Sequence, residues 1–311
     1  MHNLMHILTY VKTGAQPFSI DRQIASGCSS YVYSATAFES KCIVKELYPE
    51  RLLDNQLLGR NAHGRVVLRN RPTGMYLWLQ SRRRFLKAAG IALALQNDPG
   101  ISPYVVNLRY VYIGNGTIYT VTEGLDGCAW DQITDITPEQ ILMIGCRIAH
   151  LCQELHRRKW LLVDIKASNF LLDRHPDGTF SVRLTDFDSL LPFERIRHQK
   201  CFFCSSETAP PELIASRRYL IGTHSDVYSI CAMLLRKLGG ELNREHIREV
   251  FVRQISPRLV SWTQEQQELL LALFLRSLEL DPYKRLDSCR VLSEKLYEIL
   301  MQRGVDYENI Q

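Results

Sequence analysis

The chain has 311 residues, 46% of them hydrophobic and 23% charged, and carries a formal net charge of +5. That composition can bury a large core as one domain or two lobes, and no apolar run reaches the ~20 residues of a membrane helix. The opening MHNLMHILTYVKTG has neither a charged leader nor a small-residue cleavage site, so a cytoplasmic protein without a membrane span is expected.

Nine cysteines, an odd number spread through apolar segments, point to reduced thiols rather than a disulfide framework. The modest positive charge contains no basic block long enough to argue for nucleic acid.

Strand-like runs come first. Stretches at 31–36 and 42–47 are followed, after the turn-forming NAHG, by one at 65–69, and then by 105–113 and 117–122 around GNG. A long helix interrupts them over about 76–96, YLWLQSRRRFLKAAGIALALQ, and stops before Asp98-Pro99-Gly100. Beyond about residue 130 the pattern turns helical. Thr137-Pro138-Glu139-Gln140 supplies an N-cap, a proline at the first helical position and a glutamine at the third, for a helix running to about Arg158. A second helix is expected over 225–238, ended by Gly239-Gly240, and a third from Thr263, with Gln266 as its capping partner, to about Leu278. The expected organisation is a small sheet-rich part and a larger helical one, joined by TEGLDG at 122–127.

Two runs carry chemistry. LVDIKASNFLLD at 162–173 and LTDFDSL at 184–190 set Asp164, Lys166, Asn169 and Asp186 between segments hydrophobic enough to be buried strands. Polar groups so placed need a charged ligand to meet them. With IASGCSSYVYSA at 24–35 and CIVKE at 42–46 upstream, the motifs resemble, in order, the eukaryotic-type protein kinase family, in a divergent, bacterial form. The resemblance covers about 20–301. It implies an α+β, bilobal protein-kinase-like fold with a sheet-rich N-lobe, 1–123, bearing an inserted hairpin at about 48–75, and a helical C-lobe, 124–311.

The resemblance also implies roles. Lys45 anchors ATP, Asp164 is the base for the acceptor hydroxyl, Lys166 stabilises charge, and Asn169 and Asp186 hold Mg2+. Ala25, Gly27 and Ser30 cover the phosphates. Thr122 lies behind the adenine, the backbone of Glu123 and Leu125 meets its edge, and Val32 and Leu171 sandwich the ring under a roof that includes Ile43. TAPPEL at 208–213, SDVYS at 225–229 and LDPYKR at 280–285 resemble the features of protein kinases that small-molecule phosphotransferases lack, with Glu212 and Arg285 as a buried ion pair.

The pattern departs in three places. Only Gly27 remains of three loop glycines, with Ala25 and Ser30 at the others. Leu162-Val163-Asp164 stands for His-Arg-Asp, so the arginine that would read a phosphorylated activation segment is missing, and activity independent of such phosphorylation is expected. Ala88 falls where relatives carry the glutamate that pairs with Lys45, and no glutamate lies between Glu50 and Glu123. Asp188, in place of a glycine, is expected to orient Lys45 or bind a second metal; its plain reading is a solvated turn carboxylate.

Other features have plain readings. Cys201 and Cys204 are a lone pair better read as free thiols than as a zinc or redox site. Arg82-Arg83-Arg84 reads as a solvated face, and His156 as a residue satisfying backbone groups. The substrate-selecting stretch between Leu190 and Thr208 is expected to lack regular structure without a partner. The leading function is an ATP- and Mg2+-dependent kinase acting on protein Ser/Thr hydroxyls. The rivals are a pseudokinase scaffold and a kinase-fold enzyme with an unusual or small-molecule acceptor.

Overall fold

The computed structural model describes residues 11–69, 71–202 and 204–305. Most of the opening stretch read for a leader, one residue of the inserted hairpin region and Phe203 lie outside the described residues. The chain forms two compact units, 1–126 and 127–311. No helix among the described residues is long and apolar enough to cross a membrane.

The first unit is built on strands β1 (Val11–Lys12), β2 (Ser19–Gly27), β3 (Ser30–Ala37), β4 (Ser40–Leu47), β5 (Leu58–Arg60), β6 (Val66–Leu68), β7 (Leu108–Gly114) and β8 (Thr117–Glu123). Six of them form one sheet in the order β1-β7-β8-β4-β3-β2. Because successive residues of a strand point to opposite faces, β4 sorts its side chains sharply. Cys42 and Val44 enter a buried cluster with Phe18, Ala35, Ala37, Tyr110, Tyr112, Tyr119 and Val121. Phe18 meets the Tyr112 ring edge-on at 5.7 Å, a favoured aromatic geometry.

Glu46 shares that apolar side and is 1% exposed. A carboxylate there needs donors. It accepts from the Tyr33 hydroxyl at 2.8 Å, the Tyr119 hydroxyl at 3.1 Å and Arg60 Nη2 at 2.7 Å. Arg60 belongs to the inserted β5-β6 hairpin, which is also fastened by the Val66 N–H on the Asn115 carbonyl at 2.8 Å. The hairpin expected from the sequence at about 48–75 is present, though sequence reading places only its second strand.

Two further boundaries differ from expectation. The long helix begins at Arg71 rather than 76, with Pro72 in its first turn, where a missing N–H costs nothing. Strand β7 begins at Leu108 rather than 105, because Ser102–Tyr104 forms a 3-10 turn and Asn107 gives its N–H to the Glu123 carboxylate at 3.0 Å. The stretch preceding Gly27, read as loop, is strand β2, so the turn into β3 is only Cys28-Ser29.

The second unit starts with β9 (Cys128–Ala129) and continues with β10 (Trp160–Leu162), β11 (Phe170–Arg174), β12 (Phe180–Leu184) and β13 (Leu190–Pro192). Strand β11 pairs with β9 and β12, and β10 with β13. Gly127 precedes β9 because a Cβ there would run into the Leu172 carbonyl.

Helix Pro138–Arg157 carries the expected capping box, Gln140 N–H on Thr137 Oγ1 at 3.2 Å and Thr137 N–H on Gln140 Oε1 at 3.1 Å. Helix Gln264–Ser277 repeats the device with Thr263 and Gln266. Helices Thr223–Lys237 and Cys289–Gln302 pack on the first of these through almost wholly buried faces. The first part of the 190–208 stretch is regular where sequence reading expected none, with β13 followed by the short helix Phe193–Ile196, while the described residues from 197 to 208 form no helix or strand.

Replacing Arg60 by alanine strands the Glu46 charge on two phenols. The expected loss, discounted for the partial exposure of Arg60, is about 2 kcal/mol by urea denaturation. No loss would mean that the hairpin does not support the sheet.

Candidate functional site

In the first unit the ladder register decides which side chains share a face, since directly paired residues point the same way. Ala25 pairs with Val32, Val32 with Lys45, Lys45 with Thr120, and Ile43 with Thr122. Ala25, Ser30, Val32, Ile43, Lys45 and Thr122 therefore lie on one face, opposite Glu46 and the tyrosine cluster. Gly27 pairs with Ser30 at the β2–β3 turn. The Thr122 hydroxyl donates to the Ile43 carbonyl at 3.4 Å, and the Glu123 N–H to the Asn107 carbonyl at 2.9 Å. Leu125 follows in the short link after Gly124, where a Cβ would come within 2.8 Å of the Lys41 carbonyl. Ala88 sits half-buried on the long helix.

In the second unit β10 ends at Leu162, the chain crosses in an open loop, and the 3-10 turn Ala167–Asn169 leads into β11. Asp164 and Lys166 belong to that loop, with Lys166 Nζ 2.8 Å from Asp164 Oδ2. The other carboxylate oxygen accepts the Ser205 N–H at 2.7 Å.

Asn169 donates from Nδ2 to the Asp164 carbonyl at 2.9 Å, so its amide oxygen is the atom it can offer a cation. Leu171 is on β11. Asp186 and Asp188 follow β12, and Asp186 Oδ1 accepts the Asp188 N–H at 3.3 Å. Thr185, which sequence reading missed, ties β12 to this turn through its N–H and hydroxyl on the Asn169 carbonyl at 3.0 and 3.1 Å.

The donors offered by Asn169 and Asp186 are hard oxygens, which suit Mg2+. Among the described residues no three His, Cys, Asp or Glu side chains converge into a metal cage.

The loop is anchored from behind. Asp226, 1% exposed on helix Thr223–Lys237, accepts the Leu162 N–H at 3.0 Å and meets His156 Nε2 at 2.8 Å. His156 therefore pairs with a buried carboxylate, not with the backbone groups that sequence reading assigned to it. Burial alone would lower its imidazole, but bonds to Asp226 and Cys289 raise it from 6.5 to about 10. Cys289, which burial would push up, is brought down from 9.0 to about 7 by Cys152 and His156. Burial pushes the Asp226 carboxyl up, against the pull of His156 and the Leu162 N–H.

A second buried pair meets the same helix at Ser225, the residue before Asp226. Arg285 grips Glu212 in a fork at 2.7 and 2.9 Å, both side chains essentially unexposed, and the Ser225 hydroxyl adds a bond to Glu212 at 2.8 Å. The pairing expected from the sequence is present. Val163, where an arginine was missing, is buried in an apolar cluster with Leu161, Ile196 and Leu213, against which Phe202 and Cys204 pack. Cys204 is thus a packing group, with its thiol pushed up by burial and by the charge of Asp164, while Cys201 is exposed.

A family model described as "Protein kinase domain" matches residues 91–297, about two thirds of the chain. The matched range includes the loop of Asp164, Asp186, Glu212 and Arg285, and begins beyond Lys45. A probable serine/threonine-protein kinase of Dictyostelium discoideum is 26% identical over 138 residues, 44% of this chain and 24% of that protein. The chain spans about a quarter of the length of that curated relative.

The charged cluster has a pH signature. The His156 imidazolium stabilises the fold in full below pH 6.5, and this is lost as pH rises toward about 10. Cys289 acts oppositely, its stabilisation present above 9.0 and lost as pH falls through about 7. In the shared window the two offset, so Cys289→Ser is expected to lose melting temperature more steeply than the wild type between pH 7 and 9. Parallel profiles in thermal denaturation would contradict the coupling.

Proposed function

This chain belongs to the protein kinase family, and from that premise we propose that it is an ATP- and Mg2+-dependent kinase acting on protein serine and threonine hydroxyls. The observation that carries the proposal is the pre-set loop. The Asp164 carboxylate is held by Lys166 and the Ser205 N–H, and the Asn169 amide is turned by the Asp164 carbonyl.

Phosphoryl transfer needs little covalent work from the protein, which must place the acceptor oxygen and offset phosphate charge. Asp164 orients the acceptor hydroxyl and receives its proton, and Lys166 balances charge at the transferring group. Asn169 and Asp186 would hold Mg2+, with Asp188 as a further carboxylate ligand, and the ion would supply neutralisation of phosphate charge. Lys45 holds the phosphates covered by Ala25, Gly27 and Ser30. Val32, Ile43, Thr122, Glu123, Leu125 and Leu171 receive the base. In this reading 1–123 is the N-lobe, with the inserted hairpin, and 124–311 the C-lobe of one kinase domain.

A second reading, a nucleotide-binding scaffold without efficient catalysis, is favoured by Ala88, which brings no carboxylate to the long helix. Intact-mass detection of phosphate, added with Mg-ATP to the protein itself and to a generic basic protein, separates the two. The wild type is expected to transfer, Asp164→Asn to be at least ~100-fold slower, and Asp188→Gly to bind nucleotide more weakly. A folded wild type that transfers nothing would favour the scaffold.

The apolar packing of Val163 and Cys204 leaves a phosphorylated activation segment without a reader there. Activity after phosphatase treatment is therefore expected to persist. Its abolition would overturn this independence.

A further inference from the structure

Residues 204–209 form no helix or strand, only a turn in which the Thr208 and Ala209 N–H groups reach the Ser205 carbonyl at 3.3 and 2.9 Å. Yet this stretch makes two contacts with the loop of Asp164. The Ser205 N–H sits on Asp164 Oδ1, and the Thr208 hydroxyl donates to the Ile165 carbonyl at 2.7 Å. A segment without a ladder of its own holds its place only if its carbonyls find donors elsewhere.

One side chain supplies them. Arg244, in the loop after Gly239-Gly240, donates from Nη2 to the carbonyls of Ser206 at 3.3 Å and Ala209 at 3.1 Å, and from Nε to the Tyr228 hydroxyl at 3.1 Å. Tyr228 is 0% exposed, and the Arg285 guanidinium lies 4.7 Å from its ring centre. The fork of Arg244 is therefore referenced to helix Thr223–Lys237 and to the buried Glu212–Arg285 pair. A planar guanidinium can serve three acceptors at fixed angles, whereas an ammonium cannot hold that pattern. The neighbouring Arg236–Glu207 pair, at 3.0 Å, is exposed on both sides and adds little.

We propose that Arg244 is a positioning residue that fastens 204–209 against Asp164, with the Tyr228 hydroxyl setting its guanidinium. Its bonds go to main-chain carbonyls, so the order of the segment requires no charge added to it. The proposal deepens the kinase reading, on which its consequence for substrate rests: the fastened stretch borders the base, and a protein acceptor would feel its loss before ATP does.

The test is hydrogen exchange by mass spectrometry on the full chain, for wild type, Arg244→Ala, Arg244→Lys and Tyr228→Phe, beside phosphate transfer to a generic basic protein. In Arg244→Ala the amides of Ser205, Thr208 and Ala209 are expected to exchange about tenfold faster. Helices Pro138–Arg157 and Thr223–Lys237 should stay protected. The KM for the basic protein rises while that for ATP holds, and Arg244→Lys does not restore it.

Tyr228→Phe keeps the ring and shows the same pattern at lower amplitude, which preserves the test should the alanine variant fail to fold. Unchanged exchange over 204–209 in the folded variants overturns the proposal, and so does acceleration spread evenly over the helices. A wild type that transfers no phosphate would defeat the kinase reading, while the exchange result would still decide the role of Arg244.

Discussion

The Asp226 carboxylate is the tie on which the second unit depends. Buried on helix Thr223–Lys237, it receives the Leu162 N–H at the mouth of the loop bearing Asp164, and it pairs with His156 at the end of helix Pro138–Arg157. Through His156 it also reaches Cys289, the first residue of another helix. Three helices and one loop thus share one buried charge cluster. Such a cluster is costly to desolvate, and its worth lies less in net stability than in the single arrangement it allows. A loop that must hold a carboxylate and an amide at fixed positions needs that kind of restraint.

The Glu212–Arg285 pair extends the same logic along the same helix. It fixes the short helix Pro211–Ile214 that follows Ala209, and through the Tyr228 ring it sets the ground on which Arg244 stands. The two ends of 204–209 are therefore both referenced to one helix. In the first unit, strand alternation does comparable work. Lys45 and Glu46 are neighbours in sequence, yet one joins the face of Val32 and Thr122 while the other is sealed beneath Tyr33, Tyr119 and Arg60.

What was legible in the sequence is what local chemistry determines. The capping boxes at Thr137 and Thr263, the β4 and β8 strands, the loop of Asp164 and the Glu212–Arg285 pair could each be read from residue type, spacing or motif. What was not legible depends on partners distant in the chain. Nothing near Glu46 announces Arg60, and the strand Leu58–Arg60 becomes evident only through its pairing with Val66–Leu68. His156 looked like a backbone-satisfying residue because its partner Asp226 lies 70 positions away. Arg244 carries no motif at all, and only the tertiary fold brings it to Ser206 and Ala209. Polar residues with long-range partners are the weak point of any reading by period and propensity.

The central claim, that one buried carboxylate sets the loop of Asp164, is tested most directly by amide exchange over 160–169 in Asp226→Asn. The side chain keeps its size but loses the charge that binds both His156 and the Leu162 N–H. The account predicts selective loss of protection at Leu162 and through the loop, with the core of helix Thr223–Lys237 still protected. Protection of the loop equal to that of the wild type would contradict it.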